Sequence, residues 1–283
     1  MATEDIIQKI IFTHPEITRA EILEALEIEK SKTGGWISDE TLLRLIATKH
    51  GVKVPQTKNH NCNLSIGQLI PILNDVTVVG RIVAVYPVRS FEGKQPGKYS
   101  SVLIVDKDCL LRVMIWNEKT RLIESGELKT GQIVRFSHAY TREDRGGKTE
   151  LHLGAKSLVE INVQNADEES YPFIDRFSTK CDGITKPQES IHLVGVVRDV
   201  FPASTFTRQD QSNGKVLKFL IGDDTGQVTA VAWNEKADEL EPLLRKGSSV
   251  ILVNAKTKLS SNSVLEVHVD GATYIDFSTS HVQ

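Results

Sequence analysis

LLRVMIWNEK, residues 110–119, returns as QVTAVAWNEK, residues 227–236. A shared tetrapeptide decides little, so the flanks carry the argument. When VVGRIVAVYPVRSF (Val78 to Phe91) is laid over HLVGVVRDVFPASTF (His192 to Phe206), Gly80 meets Gly195, Pro87 meets Pro202 and Phe91 meets Phe206, all at an offset of 115. Past a loop two residues longer in the second copy, Gly97-Lys98 meets Gly214-Lys215, Asp106 meets Asp223 and Trp116 meets Trp233, at 117. One deletion later Gly131 meets Gly247, Ala139 meets Ala255, Glu150 meets Glu266 and His152 meets His268, at 116. Register shifts confined to loop-like stretches are the mark of a duplicated domain.

Each copy reads as strand, loop, strand, turn, strand, helix, strand, loop, strand, with β-branched runs punctuated by glycine and polar turns. That order fits a five-stranded Greek-key barrel of the OB type, with a helix plugging one end between strands three and four. A dinucleotide-binding unit would alternate strand and helix throughout, and this one does not. The expected fold class is therefore mainly β: two tandem five-stranded OB-fold barrels preceded by a small N-terminal helical domain. The expected boundaries are residues 1–60 for the helices, 64–163 and 188–277 for the barrels, 164–187 for a linker and 278–283 for a tail.

The repeated tetrapeptide separates into two parts. Asn117 and Asn234 are read as helix N-caps, with Glu118 and Glu235 opening the helix where its dipole favours negative charge. Gly131 and Gly247 follow as helix stop signals. The tryptophan needs another reason. By strand alternation Leu111, Val113 and Ile115 share one face of strand three, while Arg112, Met114 and Trp116 share the other. In the second copy Trp233 likewise falls on the face holding Gln227 and Thr229, outside the barrel core. An outward tryptophan at a strand end, present twice, suits a stacking platform for nucleobases.

The loops that flank an OB groove supply the rest of the pattern. Between strands one and two stand Arg89, Phe91, Lys94 and Lys98, then Phe206, Arg208 and Lys215; between strands four and five stand Arg142, Arg145 and Lys148, then Lys256 and Lys258. Cations interleaved with aromatics suit a single strand, because charge tracks phosphates and a ring accepts any base. The candidate nucleic-acid-binding residues are Trp116, Trp233, Phe91, Phe206, Arg89, Arg112, Tyr140, Arg142, Lys148, Arg208, Lys215, Lys256 and Lys258. His152 and His268, each two residues after a glutamate, offer too few ligands for a metal and read as ordinary strand surface. Asp223 to Gly226 reads as a hairpin turn.

Composition bounds these readings. The 283 residues are 40% hydrophobic and 25% charged, ordinary for a globular chain, with a net charge of −3. Lys plus Arg outnumber Asp plus Glu only in residues 64–163, 14 to 11, and fall short 8 to 9, 3 to 5 and 9 to 12 in residues 1–63, 164–187 and 188–283. Local strips rather than bulk charge must then meet any phosphates. Cys62, Cys109 and Cys181 support neither a disulfide framework nor a zinc ribbon, so a reducing compartment is expected. The start lacks the basic residues of a signal peptide and no apolar run is long enough for a membrane helix. P-loop, nucleophile-elbow and H-E-x-x-H motifs are missing. We expect no enzyme, no cofactor, no metal and no membrane partner.

Residues 1–54 read as helical. Thr18 and Glu21 form a capping box with Ile17 and Ile22 as its staple, continuing through Leu23 and Leu26; a further helix starts at Ser38 and runs through Leu42, Leu45 and Ile46 to Gly51. A partner-docking bundle fits these acidic helices better than a duplex-binding helix-turn-helix. Between the barrels NVQNADEES is polar and acidic, while YPFIDRF (Tyr171 to Phe177) could pack against a barrel; if flexible, this tether of 24 residues would span about 27 Å, short enough to raise avidity by roughly 10²–10⁴.

At this point the chain resembles the archaeal replication protein A family, single-stranded DNA-binding proteins with tandem OB folds. The likeness lies in GGWISDETLLRLIATKHGV (Gly34 to Val52), in GRIVAVYPVRSF and GVVRDVFPASTF, and in the junctions IWNEK and AWNEK. It implies that Trp116 and Trp233 stack bases. It also implies an aromatic in the loop between strands four and five, which TREDRGGK and TKLSSN lack; Tyr140 just precedes the first. The zinc element of many relatives has no cysteines here, and the end, FSTSHVQ, is not the acidic tail of bacterial single-strand binders. The expected function is to coat single-stranded DNA in replication, repair and recombination, cytoplasmic and nucleoid-associated, with replication or repair proteins and small OB-fold subunits as partners. RNA stays open, since nothing readable recognises a 2′-OH. An OB scaffold gripping a protein is the other class of reading.

Overall fold

The computed structural model describes residues 3–32, 39–52, 64–93, 95–207 and 210–277, in two compact units, Met1–Cys62 and Asn63–Gln283. The first unit holds three helices, α1 (Thr3–Thr13), α2 (Arg19–Lys32) and α3 (Asp39–Lys49). Ile6, Ile10, Ile22, Leu42, Leu43 and Ile46 fill its core. The expected capping box is formed: the Thr18 N–H donates to the Glu21 carboxylate at 2.7 Å, and the Glu21 N–H donates to Thr18 Oγ1 at 3.3 Å. Leu23 and Leu45, placed on the apolar stripe by spacing, are instead exposed. Ser38 and the Gly34-Gly35-Trp36 segment lie outside the described residues, as do Cys62, Lys94, Arg208 and the 278–283 tail.

The second unit is two closed barrels of the same topology. The first comprises β1 (Val76–Val85), β2 (Arg89–Phe91), β3 (Gly97–Val105), β4 (Leu110–Trp116), the single-turn helix α4 (Arg121–Glu124), β5 (Ile133–Glu143), β6 (Thr149–Leu153) and β7 (Leu158–Ile161). Its strands run β1-β3-β4-β6-β5 and close again on β1, with β4 and β6 parallel and the other closing pairs antiparallel. The second comprises β8 (Gln188–Val200), β9 (Ser204–Thr207), β10 (Asn213–Gly222), β11 (Gln227–Trp233), α5 (Glu235–Leu240), β12 (Ser249–Leu259), β13 (Leu265–Val269) and β14 (Tyr274–Asp276). It closes in the same order, β11 and β13 being the parallel pair. These are two OB folds, and closure removes the open strand edges that a flat sheet would expose.

Strand alternation sends Leu111, Val113 and Ile115 inward on β4, and Val228, Ala230 and Ala232 inward on β11, as expected. Phe136 and Phe219 are fully buried, one in each core. The first strand of each barrel is kinked at an equivalent place: register slips between Ile82 and Ala84 in one copy, and between Val197 and Asp199 in the other. Such bulges coil a strand so that it can serve both sides of a barrel.

Several aligned residues have reasons that differ from the sequence reading. Gly131 and Gly247 do not stop the helices, which end at Glu124 and Leu240. They take left-handed φ of 88° and 87°, and donate their N–H groups to the Ile82 and Val197 carbonyls at 2.8 Å, opening the fourth strand against the first. Asp106 accepts from the Ile66 N–H at 2.6 Å, and Asp223 from the Cys181 N–H at 2.8 Å. Each barrel is therefore plugged by a short segment ahead of its first strand: Ile66 and Leu69 lie in the first core, Cys181 and Ile184 in the second.

The segment between the barrels is not a loose tether. Buried Arg81 donates to the Tyr171 carbonyl at 2.6 Å and the Gly131 carbonyl at 2.7 Å, and its guanidinium lies 4.1 Å from the centre of the Phe173 ring. Ile174 joins Val83, Ala84, Tyr86 and Val105 of one barrel and Ile251 and Val253 of the other in a shared apolar cluster. Arg89 donates across to the Gly271 carbonyl at 2.9 Å. The outward face of β1, bulged at Val83, thus packs against β12.

Candidate nucleic-acid interface

Trp116 and Trp233 stand at the ends of β4 and β11 on the outer faces of their barrels, half-buried and 40% exposed respectively. A phenylalanine meets each edge-on: Phe91 at 6.1 Å and 84° to Trp116, Phe206 at 5.8 Å and 89° to Trp233. The phenylalanines are seated on glycine. A Cβ on Gly97 would stand 2.8 Å from Phe91 Cζ, and one on Gly214 would stand 2.3 Å from Phe206 Cζ. The aligned Phe, Gly and Trp of each copy are one constellation across a hairpin.

The asparagine of the tetrapeptide belongs to it too: Asn234 stands at the N-cap position of α5, as expected, whereas Asn117 is the first residue of the turn that follows Trp116. Asn117 and Asn234 both take φ of 49°, a region asparagine tolerates better than most residues, and neither side chain caps its helix. Their side-chain oxygens instead accept the backbone N–H of Lys98 at 3.2 Å and of Lys215 at 3.3 Å. The chain turns sharply after each tryptophan while staying pinned to the neighbouring strand.

In the first barrel the rings continue. Tyr99 lies 5.8 Å from Trp116, His152 lies beside Trp116, near-parallel, at 6.0 Å and 16°, Tyr140 stacks on His152 at 5.3 Å and 27°, and the Arg142 guanidinium sits 5.1 Å from the Tyr140 centre. His152 is not the ordinary strand surface expected of it: it is only 7% exposed, and the Trp116 indole N–H donates to its Nδ1 at 3.2 Å. Burial, then Arg142, hold its pKa below the ordinary histidine value. Burial also pushes the neighbouring Glu150 carboxyl up, offset in part by Arg112. Tyr99 and His152 were missed in the sequence because each faces Trp116 from an adjacent strand. The sequence carries no direct signal of them, because the register that pairs Tyr99 with Trp116 and Met114 with His152 is set by the folded sheet. The second barrel has Val216 where Tyr99 stands and Lys256 where Tyr140 stands, so its ring track is shorter.

The candidate cations divide. Lys148 and Lys258 are exposed and make no ion pair among the described residues. Arg142 lies on Tyr140. Arg112 is 3.7 Å from Glu150 and 5.6 Å from the Tyr86 ring centre. Lys215 is held by Asp238 and Glu241, both at 2.6 Å, which raise its pKa. Lys256 lies 3.6 Å from Asp270, and Arg89 bridges the barrels. Among the described residues no group of three or more His, Cys, Asp or Glu could hold a metal, and no helix is long and apolar enough to cross a membrane.

With this geometry in hand, comparison with known proteins is informative. A family model of OB-fold nucleic-acid-binding domains, of the tRNA anticodon type, matches residues 191–275. Replication factor A of Methanothermobacter thermautotrophicus is 29% identical over 174 residues, which cover 60% of this chain and 21% of that protein. The chain thus spans about a fifth of this relative's length. A chain of a replication protein A heterotrimer bound to single-stranded DNA superposes with a TM-score of 0.55 at 12% identity, over 77% of this chain and 52% of that one. A solution structure of a replication factor A related protein from Methanobacterium thermoautotrophicum is 26% identical over 38% of this chain and 94% of its own, with a TM-score of 0.32. Residues 64–277 therefore form a tandem OB-fold protein whose relatives include archaeal replication factor A.

Proposed function

We propose that the chain is a non-enzymatic, sequence-tolerant binder of single-stranded nucleic acid, with single-stranded DNA as its ligand in replication and repair. The observation that carries this is the twice-built Phe-Gly-Trp-Asn constellation on the outer barrel face. A ring presented outward stacks any base for about 1–3 kcal/mol, because every base has a π-face. Trp116, Trp233, Phe91 and Phe206 stack; Tyr140 extends the first platform; Arg112, Arg142, Lys148 and Lys258 meet phosphates. Lys215, Lys256, Arg89 and Arg208 stand in the same role as sequence candidates. For the first three, a phosphate would have to compete with carboxylates or a carbonyl they already hold. The relatedness to replication factor A supports the same reading, and the N-terminal helices are proposed to dock replication or repair proteins.

One observation favours a second reading. The cleft beside Trp233 is lined by Glu235, Glu239 and Asp270 as well as Arg89 and Lys236. Carboxylates repel a phosphate backbone, and an OB scaffold gripping a basic peptide would use them. Tryptophan fluorescence titrated with oligo(dT) and the matching duplex at two salt concentrations separates the two. Quenching by the single strand alone, falling steeply with salt and weakened in Trp116→Ala/Trp233→Ala, is expected. Salt-insensitive association, or binding indifferent to both rings, sends the argument to the scaffold.

A further inference from the structure

We propose that His152 is a positioning residue: through a hydrogen bond that only its neutral form can accept, it fixes the plane in which Trp116 presents its ring. The chemistry follows from one contact. An indole N–H is a donor only, so the His152 Nδ1 that it meets at 3.2 Å must be the bare acceptor nitrogen. The imidazole is then neutral with its proton on Nε2, which has no hydrogen-bond partner and lies 3.5 Å from Glu150 Oε2. A protonated histidine donates from both nitrogens and cannot accept the indole. The tilt of Trp116 is thereby tied to the protonation of a buried neighbour.

The surroundings favour the neutral form. The charged and titratable groups around the ring are Glu150 from β6, Tyr140 and Arg142 from β5, and, beyond Glu150, Arg112 from β4, 3.7 Å from that carboxylate. The ring meets the Trp116 indole edge to edge, is covered by Tyr140 at 5.3 Å and 27°, and is only 7% exposed, so water has little access to hydrate a charge there. The second barrel lacks the device: the Trp233 indole has no hydrogen-bond partner among the described residues, and the aligned His268 sits 3.9 Å from Glu266. Among the described residues, Trp116 but not Trp233 is held through its indole N–H before ligand arrives.

The consequence for binding rests on the single-strand reading above, whereas the hydrogen bond itself does not. The test uses the full chain with ¹⁵N-labelled indoles, Trp116→Phe identifying the Trp116 cross-peak. His152→Asn keeps an acceptor oxygen near the Nδ1 position, and His152→Leu removes it; circular dichroism and thermal melting confirm that both fold. In the unsubstituted protein the cross-peak is expected to move on acidification, with a midpoint below the ordinary histidine pKa of about 6.5. It should hold still in His152→Asn and be displaced at all pH values in His152→Leu. Oligo(dT) affinity should fall about three- to tenfold in His152→Leu, the worth of one hydrogen bond, and stay within about twofold in His152→Asn. A cross-peak that does not titrate and is unmoved by His152→Leu overturns the proposal. So does a folded His152→Asn that loses as much affinity as His152→Leu. If the unsubstituted protein does not bind oligo(dT), the single-strand reading falls, and the cross-peak alone still decides the role of His152.

Discussion

Gly97 and Gly214 show how a residue without a side chain can shape a binding surface. Neither sits at positive φ, so the backbone would accept alanine; the neighbouring side chains would not, the Phe206 ring at Gly214 and both Asn117 Oδ1, at 2.5 Å, and the Phe91 ring at Gly97. Gly214→Ala is expected to leave the fold intact, displace Phe206 and lower oligo(dT) affinity as much as Phe206→Ala does, about 1–3 kcal/mol by titration calorimetry. Wild-type affinity in Gly214→Ala would remove Phe206 from the interface. At this scale the sequence was readable where a residue type repeats, as with Trp116, Trp233, Phe91 and Phe206. It was not readable where the partner arrives across a ladder, as with Tyr99 and His152. Asn234 does hold the N-cap position; what the sequence misread is the side-chain oxygen, because a left-handed φ leaves no trace in composition and turns that oxygen to the neighbouring strand.

At the scale of elements, the turn carrying Asp223 is the one to perturb. Burial alone would raise its pKa. The Thr225 hydroxyl and the N–H groups of Cys181, Thr225 and Gly226 outweigh that and hold the carboxyl far below the ordinary carboxylate range. A depressed carboxylate stabilises the fold above its unfolded pKa of about 3.9 and loses that contribution as pH falls toward its folded value. Asp223→Ala is expected to cost about 1–3 kcal/mol at neutral pH, and its melting temperature should converge on that of the parent in strong acid. A parallel pair of curves down to low pH would mean that the turn does not anchor Cys181. The succession of strands could be read from β-branched runs and turn residues, and the inward faces of β4 and β11 from alternation. The plugs ahead of each barrel could not, since LSIGQL and TKCDGI have no period and are fixed by the Asp106 and Asp223 carboxylates from far along the chain.

For the molecule as a whole, charge and connection decide. Net charge gives no basic footprint, so the salt response must come from few residues. Lys148→Ala and Lys258→Ala should each lower the slope of log K against log salt by about 0.7, while Lys215→Ala, its ammonium already held by two carboxylates, should change the slope little. Equal changes in all three would show that the Lys215 pairs open for phosphate. Arg81→Met should release the segment around Tyr171 and Phe173, seen as faster tryptic cleavage at Arg176 and Lys180 and a larger radius of gyration in solution scattering. An unchanged cleavage rate would argue that Ile174 and its apolar neighbours suffice. The apolar run YPFIDRF could be read as packing against a barrel, but which residue receives it could not, because Arg81 belongs to β1, far back in the chain.

That clamp makes the second unit a ruler. With Tyr86, Ile174, Ile251 and Val253 packed together, the distance between the two tryptophans is set by the protein, and on the proposed function a bound strand must conform to it. Oligonucleotides too short to bridge that span can occupy one barrel at a time. Affinity plotted against oligonucleotide length should accordingly rise in a single step at the bridging length, and Arg81→Met should blur the step into a slope.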